Sequence, residues 1–281
     1  MIRAPAVAGQ FYPANSKDLQ QLIAELRAQL RPLRPRRPRA LLVPHAGYHY
    51  SGLTAAQAYE QLLPFRQEIR RVVLLGVSHR QFFAEAAIYP NGEWLTPLGA
   101  VTVAEAEART LVRGHSFFKV DYTIHQAEHT LEVQLPFLQT ILPSSQWQII
   151  PLLLGSPESA PARRVAAALT SIWAEDFLLV ISSDLAHYPP PSLITSIDRE
   201  TLSGILSGKV KVLEKKIRAN EEKNYPGLET CACGLGAIKS GLFLAQRLSW
   251  RKKELLHYSH SGQVDPGATL AVGYAAVGFY E

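Results

Sequence analysis

Several places along the chain set a histidine or an acid just beyond a short apolar run. Ala40-Leu41-Leu42-Val43 leads into Pro44-His45-Ala46-Gly47-Tyr48, and Val72-Val73-Leu74-Leu75-Gly76-Val77 leads into Ser78-His79. Phe177-Leu178-Leu179-Val180-Ile181 leads into Ser182-Ser183-Asp184-Leu185-Ala186-His187, and His260-Ser261 closes a similar stretch near the C-terminus. Two neutral imidazoles from neighbouring strands, His45 and His79, suit zinc, iron or copper; the alternative for each is a histidine that only bonds its own loop. His187 is a candidate general acid or base, with Asp184 in the same loop as its orienting carboxylate. Asp184 could instead cap the following turn. Tyr48, Ser78 and Ser261 stand beside these positions and are candidate pocket walls.

Two further groups carry chemistry. Cys231 and Cys233 are too close in the chain for an ordinary disulfide, which fits a reducing compartment and leaves them as ligand, nucleophile or inert buried thiol. A helix predicted over 231–248 would place them at its N-terminus, where free N–H groups favour a thiolate. In His125-Gln126-Ala127-Glu128-His129-Thr130-Leu131-Glu132, a helical reading puts His125 and His129 one turn apart. His129 and Glu132 are expected to line the pocket or support its ligands, with helix capping and surface solvation as the alternative.

Elements must exist to hold these residues. Apolar runs at 40–43, 71–77, 148–154 and 177–181 are continuous, as in strands buried on both faces, and they alternate with amphipathic helices predicted over 16–30, 53–63, 104–112, 128–142, 160–174, 193–206 and 210–218. Pro136 is expected to kink or break the fourth of these. Asn91-Gly92 predicts a hairpin between 85–90 and 94–103, and two strands, 254–259 and 269–279, close the chain. The pattern predicts one α/β domain over residues 1–281, three layers α/β/α around a mostly parallel central sheet. Ligands of such sheets bind beyond the carboxyl ends of the strands, where the histidines fall.

Composition limits the alternatives. The 281 residues, 47% hydrophobic and 19% charged, describe a folded chain, and no apolar run reaches the roughly 18–20 residues of a membrane span. The N-terminus has no signal-peptide pattern, so the expected location is cytoplasmic. The net charge of +5 comes from one arginine-rich stretch that runs into the Arg/Pro segment 31–39; elsewhere basic and acidic residues nearly balance. Its prolines favour an extended surface connector, with anion docking as the lesser alternative, so no nucleic-acid partner is expected. Gly234-x-Gly236 lies in a helical pattern and gives no phosphate loop.

The chain resembles the Memo family, also called AmmeMemoRadiSam system protein B. The resemblance is carried by Ala8-Gly9-Gln10-Phe11-Tyr12-Pro13, Pro44-His45-Ala46-Gly47-Tyr48, Gly76-Val77-Ser78-His79, Glu128 through Phe137, Ser182 through His187, Cys233-Gly234, Tyr258-x-x-Ser261-Gly262 and Gly273-Tyr274-Ala275. It implies a fold similar to class III extradiol dioxygenases, with His45, His79 and Cys233 as metal ligands and His187 as the nearby acid or base. The cysteine takes the place of the dioxygenase carboxylate, which shifts preference toward softer or redox-active metals. Cys231 beside it could compete. The implied cofactor is Fe(II), with copper or zinc as alternatives, and the implied function is redox chemistry on a small-molecule or peptide ligand. In prokaryotes the family name implies a functional link to a radical-SAM enzyme and a companion protein. Two other readings stay open: a binding scaffold built on the same pocket, and a Cys-His hydrolase or transferase with Cys233 as nucleophile.

Overall fold

A strand that is apolar at every position needs cover on both faces, because successive side chains point to opposite sides. The computed structural model, which describes residues 1–31, 36–143 and 146–281, meets that need. Its strands are β1 (Ile2–Arg3), β2 (Ala40–Val43), β3 (Arg71–Val77), β4 (Ala86–Ile88), β5 (Glu93–Thr96), β6 (Gly99–Thr102), β7 (Phe118–Val120), β8 (Gln148–Leu154), β9 (Phe177–Ser182), β10 (Lys252–His260) and β11 (Gly273–Tyr280). Its helices are α1 (Ser16–Arg27), α2 (Tyr48–Glu60), α3 (Glu105–Gly114), α4 (Tyr122–Gln126), α5 (Leu135–Ile141), α6 (Ser159–Ile172), α7 (Pro191–Leu206), α8 (Val210–Glu221) and α9 (Leu235–Arg247). Among the described residues, eight strands form one sheet in the order β10-β11-β2-β9-β3-β8-β4-β7. Its centre, β2-β9-β3-β8, is parallel, and antiparallel pairs flank it.

The strands divide their side chains between two cores. Ala40, Leu42, Val73, Leu75, Leu179 and Ile181 face one, covered by α3, α6, α7, α8 and α9. Leu41, Val43, Val72, Leu74, Leu178 and Val180 face the other, covered by α1, α2 and α5. The result is the expected three-layer α/β/α architecture. Because β2, β9, β3 and β8 run the same way, their carboxyl ends share one edge, and His45, His79 and Asp184 emerge there. No helix among the described residues is long and apolar enough to cross a membrane. The N-cap Asn15, whose side chain accepts from the Lys17 and Asp18 N–H groups, starts α1.

Three expectations fail. The chain bends at Asn91-Gly92, with Gly92 at φ +95°, but its flanks do not pair: β4 joins β8 and β7 in the main sheet, while β5 pairs with β6 and β1 in a separate three-stranded sheet. The apolar Ala86–Ile88 run gains cover on both sides from the main sheet, and that outweighs the local turn. The helix expected over 128–142 is instead a loop that follows the short α4, a 3-10 turn at Glu132–Gln134 and α5. Pro136 lies in the first turn of α5, where its missing N–H costs no helical bond. The last helix begins at Leu235 rather than at 231, so both cysteines lie in the preceding loop. Residues 32–35 of the Arg/Pro connector lie outside the described residues; of the remainder, Arg37 pairs with Glu68, and Arg39 with Glu175 and Glu281.

Candidate metal centre

His45 leaves the end of β2, His79 the end of β3, and His129 the loop between α4 and α5. One ligand atom from each lies within 4.8 Å of the others. The His79 and His129 rings stack at 4.9 Å between centroids, and His45 stands edge-on to both at 5.2 and 5.4 Å. Gly76, near the end of β3, makes room for the loop: a Cβ there would stand 2.7 Å from Thr130 Oγ1 and 2.6 Å from Leu131 Cδ2.

Glu128 organises two of the three rings. Its Oε2 accepts the His79 backbone N–H at 2.7 Å, and its Oε1 accepts those of His129 at 2.8 Å and Thr130 at 3.1 Å. Nδ1 of His129 lies 3.1 Å and Nδ1 of His79 3.3 Å from the same Oε1. An ionised carboxylate only accepts, so each Nδ1 carries the proton in these bonds, and in the neutral ring each Nε2 keeps its lone pair. Burial alone would raise the Glu128 pKa, but the bonds from His129 and His79 hold it well below the usual carboxylate range.

His45 is fixed by a different chain of bonds. Tyr59 donates to Gln134 Oε1 at 2.8 Å, so Gln134 Nε2 faces the Pro44 carbonyl at 2.9 Å and Ser182 Oγ at 3.0 Å. Ser182 gives its one proton to the Thr130 carbonyl at 2.6 Å. It can then only accept from His45 Nδ1 at 2.9 Å, which leaves His45 Nε2 unprotonated. Burial, with the charges His129 and His79 would carry, pushes the His45 pKa well below its ordinary value. A neutral ring with a fixed free Nε2 is a metal ligand by chemistry.

Cys233 meets the cluster at this vertex, its Sγ 3.1 Å from His45 Nε2. The approach depends on Gly234, whose N–H bonds Ser183 Oγ at 2.9 Å and whose Cβ, if present, would stand 2.6 Å from the Ser182 carbonyl. Burial and the Asp184 charge push the Cys233 thiol up, against the thiolate expected from a helix N-terminus. A bound cation would reverse that preference. Three converging imidazoles suit zinc, iron or copper rather than calcium or magnesium, and Cys233 stands next to them at His45 alone. The arrangement can hold a metal ion.

The other expected residues fall in different places. Asp184 does not orient His187: its Oδ1 accepts the His45 backbone N–H at 2.8 Å, and burial raises its pKa to about 6. His187 Nε2 is buried without a partner, and burial followed by the His79 charge lowers the His187 pKa to about 4. The next residue, Tyr188, holds φ +67°, a left-handed conformation that costs a non-glycine residue roughly 1–2 kcal/mol. Tyr48 is a core residue whose hydroxyl donates to the Val133 carbonyl at 2.6 Å, not a pocket wall. Glu132 faces the N-terminal segment and forms a fully buried pair with Arg3 at 2.7 Å. Cys231 packs in the core beneath α7 and α8, its pKa raised by burial to about 11, and does not compete with Cys233. Ser78 Oγ accepts the Gln81 N–H at 3.1 Å, and Ser261 Oγ the Val272 N–H at 2.9 Å. Glu128, Ser182 and Gln134 are the supporting residues that sequence reasoning missed. Glu128 offered one signal, a carboxylate beside a histidine, but nothing local showed that its second oxygen reaches His79.

Beside Cys233 lies a cavity of about 230 Å³, lined by Val77, Leu154, Ser156, Thr230 and Gly236 among others. Its size suits a small molecule.

The family described as Memo-like protein matches residues 3–278. A MEMO1 family protein of Thermoplasma volcanium is 34% identical over 277 residues, 99% of this chain and 98% of its own. One from Nitrosopumilus maritimus is 33% identical over 285 residues, 99% of this chain and all of its own. The crystal structure of uncharacterized protein JW3007 from Escherichia coli K12 superposes with a TM-score of 0.51 at 14% identity, covering 85% of this chain and 99% of the other, a likeness of fold.

Proposed function

The chain belongs to the Memo-like family, and from that premise we propose that it is a metal-dependent redox protein whose resident ion is iron, with copper and zinc as competitors. His45 and His79 would hold the ion, with Cys233 and His129 as the further donors. The observation that carries this reading is the convergence of three histidine ligand atoms within 4.8 Å, with each Nδ1 turned toward an acceptor behind it. An iron or copper ion there supplies Lewis acidity and one-electron chemistry. The protein's part is to keep His45 neutral, hold the orientation of the three rings, and bind a small substrate in the cavity next to Cys233. His187, with its buried Nε2 unpartnered, is the candidate to exchange a proton with a bound substrate. Asp184 acts through the backbone, fixing the turn that presents His45.

Anaerobic metal analysis tests the reading on wild type, His45→Ala, His79→Ala, His129→Ala and Cys233→Ser. Metal is expected in the wild type and lost from His45→Ala and His79→Ala; equal content in all five proteins would refute it. A second reading is favoured by the 3.1 Å Cys233–His45 contact, a Cys-His pair able to act as nucleophile and base. Iodoacetamide separates the two: rapid alkylation of Cys233 in metal-free protein supports the nucleophile, whereas an inert thiol that loses reactivity to burial supports the metal site.

A further inference from the structure

Arg3 is a long cation near the N-terminus, and it is completely buried, a rare state for arginine unless every donor is engaged. Its Nη1 lies 2.7 Å from Glu132 Oε2, and its face covers the Trp94 ring at 4.2 Å. The remaining bonds go to main chain. Nε donates to the His125 carbonyl and Nη2 to the Glu128 carbonyl, both at 2.7 Å, and Nη1 donates to the Ala4 carbonyl at 3.3 Å.

The two distant carbonyls bracket the turn where α4 ends and the His129 loop begins. A planar guanidinium fixes the spacing of the groups it bridges, since its donors diverge at set angles. Glu132 adds to the grip from the other side. It accepts the Ala6 and Val7 N–H groups at 2.8 and 3.0 Å and the Tyr12 hydroxyl at 2.6 Å. Phe11, on the same N-terminal segment, packs its ring 4.7 Å from that of His129. The N-terminal segment thus touches the histidine loop at its backbone, its carboxylate and its ring.

We propose that Arg3 is a positioning residue for the metal centre: through the His125 and Glu128 carbonyls it sets where the Glu128 carboxylate stands, and with it the His79 and His129 rings. This rests on the metal-binding reading above. Glu128 is held at both ends, its carbonyl by Arg3 and its carboxylate by the histidines. Displacement at one end is therefore felt at the other. Lysine would keep the charge opposite Glu132 but has one nitrogen and no fork, so it cannot span the two carbonyls in the same way.

Cobalt(II), added anaerobically to the metal-free full-length protein, is the probe. Its d–d absorption reports ligand geometry, and competition with a chelator reports affinity. Arg3→Lys is expected to bind cobalt about 10–100-fold more weakly, the range for loss of a group that orients ligands, with an altered d–d spectrum. Arg3→Met combined with Glu132→Met keeps an apolar interior where the single change could misfold, and is expected to show the same loss. Leu19→Ala, a core change in α1, should lower the melting temperature while affinity and spectrum stay at wild-type values. Wild-type affinity and spectrum in both arginine variants would overturn the inference, as would an equal affinity loss in Leu19→Ala. Failure of the wild type to bind cobalt would overturn the metal reading itself, a result separable from either.

Discussion

Glu128 and Asp198 are buried carboxylates behind neighbouring histidine loops, and they titrate in opposite directions. Glu128 accepts three backbone N–H groups and faces two histidine rings, so it is held ionised despite burial. Among the described residues, Asp198 accepts the Ala186 N–H at 2.9 Å and the Tyr258 hydroxyl at 2.8 Å, and burial raises its pKa to about 7. Gly273 admits it closely, since a Cβ at that position would overlap the Asp198 carboxylate. Burial is common to both sites; the number of donors and the nearby rings decide the charge. One carboxylate orients the His79 and His129 rings. The other shapes the Ala186-His187 turn and stays largely neutral below neutrality.

The comparison can be broken at its strongest point first. Glu128→Ala removes the acceptor of three N–H groups and the orienting partner of two rings. Metal affinity is expected to fall about 100-fold or more, at the upper end of the range for supporting residues. Glu128→Ala with wild-type metal content would end the claim that this carboxylate organises the site.

Glu132 sharpens the contrast within one loop, as a carboxylate serving the N-terminal segment. Glu132→Gln leaves the Arg3 charge buried without its counter-ion, and urea unfolding should show a loss of about 3–5 kcal/mol. A loss under about 1 kcal/mol would mean that the pair is dispensable.

Asp198 gives the pH test. Its folded pKa of about 7 lies above its ordinary 3.8, so between these values the folded state keeps a proton that the unfolded chain releases. Stability from this group must fall as pH rises through that window, by up to about 1.4 kcal/mol per pH unit. Glu128 has the opposite sign: its contribution is present above about 4.5 and lost as pH falls below it. Wild type compared with Asp198→Asn in urea from about pH 4 to 8 should converge toward low pH and separate toward high pH, with the variant the more stable. Parallel profiles would contradict the assignment.

The smallest effect belongs to the cysteines as a pair. Cys231→Ser, in the core beneath α7 and α8, is expected to cost about 1–3 kcal/mol of stability through a buried hydroxyl while leaving metal content unchanged. Cys233→Ser should lose metal with little change in stability. Swapped outcomes would exchange the roles given to the two thiols.

The layers and the strand ends were legible in the chain because their signals are local. The continuous runs at 40–43, 71–77, 148–154 and 177–181 require cover on two faces, and the observed strands coincide with them. The residues just past those runs then had to lie along one edge. His45 and His79 were legible for that reason. His129 was legible as a neighbour of the site but not as a donor, because its four-residue spacing from His125 suits a helix while the chain there forms a loop.

What escaped the sequence depended on which distant group answers a local one. Glu128 could have faced solvent from a helix; the folded loop turns it to His79, His129 and Thr130, and those bonds replace the helical ladder. Glu132 and Arg3 are far apart in the chain, and no spacing rule links them. The strand that follows Asn91-Gly92 chose β6 and β1 over β4 because the apolar β4 is buried in the larger sheet. By itself, then, the sequence determined the α/β layers, the edge at which chemistry collects and the two histidines that open it, since periodicity and chain direction are properties of each segment. Only the tertiary structure decided the third histidine of the cluster, the carboxylate behind it and the 3.1 Å contact of Cys233 with His45, because which groups meet is a property of distances between segments.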